Sequence, residues 1–278
     1  MSTKLFLSLI AACCFWAIAQ TTFAQATGEP WWATETVTAT GNGFSPSGVD
    51  NPNRKEMLAK HAAKIDAYRK LAEKASGIHI TATDKVAKGE IDAIINGAKI
   101  VSEKYDELSG CYTVVMEVPL YGVSNSISSV AFKESQKKII ADSQASNLTN
   151  GEYTGLIVDC SDLTDADKNT LNPVLAPKIK SSDDKEVYSS DDVSYNELVE
   201  KGMVSYADRE HANKSRAGDR PLIVKAAGLT DNNTTPILTP LDRDKVMQAN
   251  LNSHFLNKGA VVLVGFRVAA ESDNDSFV

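Results

Sequence analysis

Lys99-Ile100-Val101-Ser102-Glu103-Lys104-Tyr105-Asp106-Glu107, then Leu108-Ser109-Gly110, then Cys111-Tyr112-Thr113-Val114-Val115-Met116-Glu117-Val118-Pro119-Leu120 is the stretch that decides the fold. Two runs rich in β-branched and aromatic residues flank a short Ser-Gly turn, the pattern of an antiparallel hairpin. Upstream, Arg54 to Ala75 reads as a helix, with Asn51 or Asn53 as N-cap and Gly77 just past its end. Leu58, Ala62, Ile65, Tyr68, Leu71, Ala72 and Ala75 recur at three and four residues and form its expected buried stripe. Glu35 to Gly41 alternates like an outer strand, and Gly41 to Asn53 reads as a loop. Ile78 to Ala82 reads as a further strand and Glu90 to Asn96 as a short helix. A small, mostly antiparallel sheet packed on a long helix is an α+β domain.

The rest of the chain predicts a second α/β or α+β domain. Candidate strands lie at Thr154 to Asp159, Glu186 to Tyr188, Leu222 to Ala226 and Ala260 to Phe266, with helices near Tyr195 to Lys201 and Arg243 to Phe255. Val261-Val262-Leu263-Val264 is a continuous aliphatic run, as in a strand buried on both faces. The expected organisation is a leader over 1–24, an α+β domain over 30–132, a polar linker over 133–152, a second domain over 153–270 and a frayed tail over 271–278.

The 278 residues are 42% hydrophobic and 23% charged, with 9 prolines and 16 glycines, which excludes fibrous and wholly disordered classes. A net charge of −7, with the acidic excess concentrated in the second half, gives no general attraction to nucleic acid. Lys4, the apolar run Leu5 to Ala19 and the small residues at Ala24 and Ala26 read as a secretory signal. About 15 apolar residues fall short of the roughly 20 that span a bilayer, so no transmembrane helix is expected in the mature chain. Ile10-Ala11-Ala12-Cys13 is a rough lipoprotein box, but lipidation at Cys13 leaves an apolar region of only about eight residues. Export places Cys111 and Cys160 where a disulfide persists. A Cys111–Cys160 bridge and two free thiols both stay open, with strand parity setting Cys111 on the less apolar face of its strand.

Candidate chemistry is sparse. His61, His79, His211 and His254 stand in no metal-ligand spacing, and Glu210-His211 lacks the second histidine of a zinc-protease helix. Asp162, Asp165, Asp167 and Asn169 superficially resemble a calcium loop, but Thr170 and Ala176 occupy the places of its glycine and its closing glutamate. Neither a nucleophile elbow nor a phosphate loop occurs. No catalytic, metal or cofactor residue is therefore assigned, and a non-enzymatic protein without cofactor is expected. The helix carries Arg54, Lys55, Lys60, Lys64, Arg69, Lys70 and Lys74 against Glu56, Asp66 and Glu73. Lys60 and Lys64, with the adjacent indoles of Trp31 and Trp32, make the expected interaction surface.

Ala59-Lys60-His61-Ala62-Ala63-Lys64-Ile65-Asp66-Ala67-Tyr68-Arg69-Lys70-Leu71-Ala72-Glu73, Gly97-Ala98-Lys99-Ile100-Val101 and Val114-Val115-Met116-Glu117-Val118-Pro119-Leu120 come in an order that resembles the LPP-twenty-like family of Gram-negative envelope lipoproteins. That family includes relatives of the flagellar outer-membrane-associated protein FlgP. The resemblance covers Thr34 to Tyr121; Gly155 to Asp159, Ala176 to Ile179, Glu186 to Tyr188 and Val224 to Ala226 look like the extension of its longer members. It implies an exported, non-catalytic protein of the periplasm or outer-membrane periphery, in some members part of a ring around the flagellar motor, and supplies no catalytic residues. Envelope proteins or further copies of the chain are the partners it implies. The alternative is a ligand-binding or hydrolytic periplasmic protein working from a cleft between the domains.

Overall fold

Asn51 starts the long helix as expected. Its side chain accepts a hydrogen bond from the Arg54 N–H at 3.1 Å, and Pro52 occupies the first turn, where no N–H is needed. The computed structural model describes residues 31–133, 152–163, 171–207 and 216–265. The leader, most of the expected linker, the calcium-like residues after 163, His211 and the tail lie outside them.

The first half comprises α1 (Trp31–Thr34), β1 (Thr36–Phe44), α2 (Pro52–Ser76), α3 (Lys88–Ile95), β2 (Lys99–Asp106), β3 (Cys111–Pro119) and α4 (Ile127–Ala131). β3 lies between the others in an antiparallel sheet of order β1-β3-β2. Asp106 closes the hairpin turn by accepting from Leu108 N and Ser109 Oγ. One face, made by Val37 and Ala39 of β1 and Tyr112, Val114, Met116 and Val118 of β3, is buried. The helix covers it. Ile78 to Ala82 forms no strand, only an isolated His79–Lys85 bridge, because its backbone serves another partner. The His79 and Ile80 carbonyls accept from Leu175 and Ala176 of the second half, at 3.0 and 2.7 Å.

The face of α2 that is buried differs from the expected stripe. Ala59, Ala63, Ala67, Leu71 and Ala75 are inside, whereas Ile65 is 57% exposed. Size, more than apolarity, selects the face. A Cβ on Gly41 would stand 2.1 Å from the Ala63 carbonyl oxygen and 2.3 Å from Ala67 N. On Gly43 it would stand 2.2 Å from Ala63 N and 2.3 Å from the Ala59 oxygen. The helix backbone therefore rests on the strand backbone, and only an alanine ladder at four-residue spacing fits between them.

The second half adds β4 (Gly155–Asp159), β5 (Ile179–Ser181), β6 (Glu186–Tyr188), α5 (Tyr195–Glu200), β7 (Val204–Ala207), β8 (Pro221–Lys225), β9 (Gly228–Thr230), β10 (Thr235–Leu238), α6 (Pro240–Ser253) and β11 (Val261–Val264). β7-β11-β4-β8 is a wholly parallel sheet, and β6-β5-β10-β9 is mixed. Val261 to Val264 is buried throughout, as its aliphatic run predicts. The four strands with no counterpart in the sequence reading, β5, β7, β9 and β10, are three or four residues long, too short to show a period. The fold as a whole is α+β.

Between the halves the space is filled. A single apolar cluster runs from Leu120, Ile127 and Phe132 into Leu198, Val199 and Met203. Gly122 N and Ser128 Oγ both donate to the Val199 carbonyl, at 2.7 and 2.8 Å. Gly202, at φ +73°, lets the Tyr121 ring lie flush against the backbone. On the second-half side of this seam Arg216 holds the Gly202 backbone by donating to the carbonyls of Lys201, Gly202 and Gly259.

Gly41→Ala is expected to lower stability by about 1–3 kcal/mol or more, since backbone atoms of α2 stand in the way of the methyl group. Gly89→Ala, at a helical position with open space around it, should raise stability by about 0.4–1 kcal/mol. Urea unfolding midpoints compare the two; equal effects would sink the close-packing argument.

Candidate functional site

Among the described residues, each edge of the three-stranded sheet ends in a row of backbone groups without a strand partner, and the two edges are treated differently. Along β1, residues 38, 40 and 42 turn their hydrogen-bonding groups outward, and α2 meets all three. Asp66 Oδ2 accepts from Asn42 N at 3.1 Å, Lys70 Nζ donates to the Thr40 carbonyl at 3.1 Å, and Lys74 Nζ donates to the Thr38 carbonyl at 2.8 Å. Asp66, Lys70 and Lys74 are four residues apart, so they line one side of α2 directly over the strand. This seals the β1 edge against a further strand. A shallow hollow beside it is lined by Ala39, Thr40, Lys70, Glu73 and Lys74.

The same side chains form an ion network. Asp66 meets Lys70 at 2.7 Å and Arg69 at 2.9 Å, and Arg69 reaches on to Glu73 at 2.6 Å. Lys70, then the Asn42 N–H, then Arg69 hold the Asp66 carboxyl well below its ordinary value of 3.8.

Among the described residues, no side chain of α2 covers the β2 edge in this way. Most residues of β2 are exposed, with Val101 at 56%, Ser102 and Tyr105 are half-buried, and Leu108 at the tip of the turn is wholly exposed. The ladder with β3 slips between Ile100 and Ser102, leaving Val101 as an extra residue. Along its outer side, among the described residues, β2 has no neighbouring strand.

Lys60, expected on an open basic surface, is instead drawn in to β2. Its Nζ lies 2.7 Å from Glu103 Oε1 and 5.5 Å above the Tyr112 ring, itself stacked on Tyr105 at 5.9 Å. Lys60 first, and more weakly the charge of half-buried Lys64, hold the Glu103 carboxyl below its usual range. Trp32 is half-buried against the core, on the short α1 that rests against β1 and β7. Trp31 belongs to the same helix. The sequence thus shows the helix and Lys60, which reaches β2, but not Asp66, Lys70 and Lys74 as edge-binding groups. The four-residue spacing of one carboxylate and two lysines was the signal available.

Cys111 and Cys160 do not pair. Cys111 is half-buried at the start of β3, Cys160 is buried just beyond β4 in a different sheet, and both are free thiols. Burial pushes the Cys160 thiol up to about 12. His61 is exposed on α2, His79 sits in its isolated bridge, and His254 ends α6 in a left-handed conformation. Among the described residues no group of three His, Cys, Asp or Glu side chains could hold a metal ion, and no helix is long and apolar enough to cross a membrane.

Residues 155–265 match the family model described as Treponema pallidum Tp0624, second domain. This match covers the sheets of the second half and leaves out the segment from Thr34 to Tyr121. Comparison with curated proteins finds no match.

Two outcomes follow from these environments. A carboxyl whose pKa falls on folding contributes stability that is complete above its unfolded pKa and is lost as pH drops toward the folded one. Stability supplied by Asp66 should accordingly be present at neutral pH and fade below about pH 4–5, so Asp66→Asn should flatten part of the acid limb of a plot of urea midpoint against pH. The second outcome concerns the thiols: iodoacetamide at pH 8 should label Cys111 in the native protein and Cys160 only after unfolding, as peptide mass spectrometry would show. Equal native labelling of both would contradict the burial of Cys160.

Proposed function

We propose that this chain is an exported protein of the bacterial cell envelope that acts by binding protein partners through the open β2 edge, without catalysing a reaction. The observation that carries this reading is the unequal treatment of the two edges of one sheet. The β1 edge is closed by three side chains of α2, while β2, mostly exposed, has no neighbouring strand on its outer side among the described residues. An uncovered strand is a ready template for pairing with another chain, and the edge left without a helix over it is where such a partner would add.

The export part of the proposal rests on the secretory pattern of the first 24 residues. The resemblance of Thr34 to Tyr121 to the LPP-twenty-like family supports an address in the periplasm or at the outer-membrane periphery, and with it association with a flagellum. Filling of the seam between the halves by Tyr121, Phe132 and Met203 favours this reading over a ligand cleft at that place.

The test is made in cells producing the full chain with a photoactivatable residue at Val101, at Glu73 on the sealed side, or at Asp219 in the second half. A mature N-terminus near Gln25 in the periplasmic fraction, with protein adducts from Val101 and few from Glu73 or Asp219, is the expected result. Cytoplasmic protein retaining Met1, or equal adducts at all three positions, would overturn it.

A further inference from the structure

Taking β2 as the binding edge, we propose that its occupant is β2 of a second copy, running antiparallel about a two-fold axis through Glu103. The charges of the strand are arranged for this. Lys99 opens it and Asp106 closes it, so an antiparallel copy sets each Lys99 against the partner's opposite sign, whereas a parallel copy sets like against like. The faces agree as well. Leaving out the extra residue Val101, β2 meets β3 through Lys99, Ile100, Ser102, Glu103, Lys104, Tyr105 and Asp106. Inverting that row about Glu103 places Lys99 opposite Asp106 and Ile100 opposite Tyr105.

Lys99 and Asp106 pair with Glu117 and Cys111, on the face away from α2, while Ile100 and Tyr105 pair with Met116 and Tyr112, on the face toward it. Without the bulge, residues seven apart would point to opposite faces. With it, both opposing pairs share a face. The two Glu103 carboxylates nearest the axis each bring a Lys60 ammonium at 2.7 Å, so the axis is not a pair of bare like charges. Two three-stranded sheets then become one sheet of six strands whose outer edges are both the sealed β1. Association of this kind closes at two chains and forms no filament.

The mature chain should therefore sediment as a dimer. Lys99→Asp turns two attractive contacts into two repulsive ones and should weaken the dimer roughly tenfold or more. Adding Asp106→Asn, which keeps the acceptor that closes the turn, should recover part of that loss. In a Cys111→Ser background, Glu103→Cys should form an interchain disulfide under mild oxidation and Lys99→Cys should not, because only residue 103 faces its own copy. Far-UV circular dichroism checks that each variant folds.

A dimer indifferent to Lys99→Asp, or cross-linking through position 99 in place of 103, would falsify the inference. A monomer whose Val101 still cross-links to a different protein in cells would overturn the second copy as occupant while leaving β2 as the binding edge. A monomer with no such adducts would remove both.

Discussion

The close approach of α2 to β1 is the constraint on which the first half depends. Helices usually stand about 10 Å from a sheet because side chains of ordinary size separate them. Here Gly41 and Gly43 meet the backbone of Ala59, Ala63 and Ala67 directly, and the gap is too narrow for a larger residue. That closeness brings the flank of α2 level with the β1 edge. From there Asp66 and the flexible stems of Lys70 and Lys74 reach the outward amide and carbonyls of the strand. Packing and edge protection are thus one arrangement, since a helix lifted away by leucines would leave those groups to water.

The cations of α2 follow from the same geometry. Its excess of positive charge invites a reading as a surface for phosphate or an acidic partner. Yet Lys60 is held by Glu103, Lys70 and Lys74 by β1 carbonyls, and Arg69 by Asp66 and Glu73. Each interaction alone contributes little at an exposed site, about 0–1 kcal/mol. The contacts of Lys60, Lys70 and Lys74 hold the helix in register on the sheet, while the pairs of Arg69 within α2 occupy a charge that would otherwise face outward. The outward side of α2 carries Met57, His61 and Ile65 beside exposed Arg54, Lys55 and Arg69, so it is a mixed face.

Most of the elements were legible in the sequence, and their orientation was not. The hairpin, the capped helix and the strands at Gly155–Asp159, Glu186–Tyr188, Pro221–Lys225 and Val261–Val264 follow from turn residues, capping residues and aliphatic runs. The buried face of α2 was misread because periodicity counts apolar residues and gives Ile65 more weight than Ala63, while the glycines that demand alanine lie on another element. Ile78 to Ala82 alternated like a strand, but the order of the sheet leaves it no place there, and its carbonyls went to Leu175 and Ala176. As for the site, the lysines and the β2 strand were readable one by one. Which edge of the sheet is open depends on the order β1-β3-β2, and no local pattern encodes that order.

The two edges also bear on how the halves cooperate. The second half could pair with β2 and hide it, yet among the described residues the links to the first half named above run through α1, Leu120 to Ser128 and the carbonyls of His79 and Ile80, outside the strand. Arg216 fixes the backbone of the second half beside that seam by binding three of its carbonyls with one guanidinium. The second half is therefore anchored where it does not compete for the open strand. Among the described residues, then, the internal contacts spare one edge of the sheet while three charged side chains are committed to the other, and the proposed direction of binding rests on that inequality.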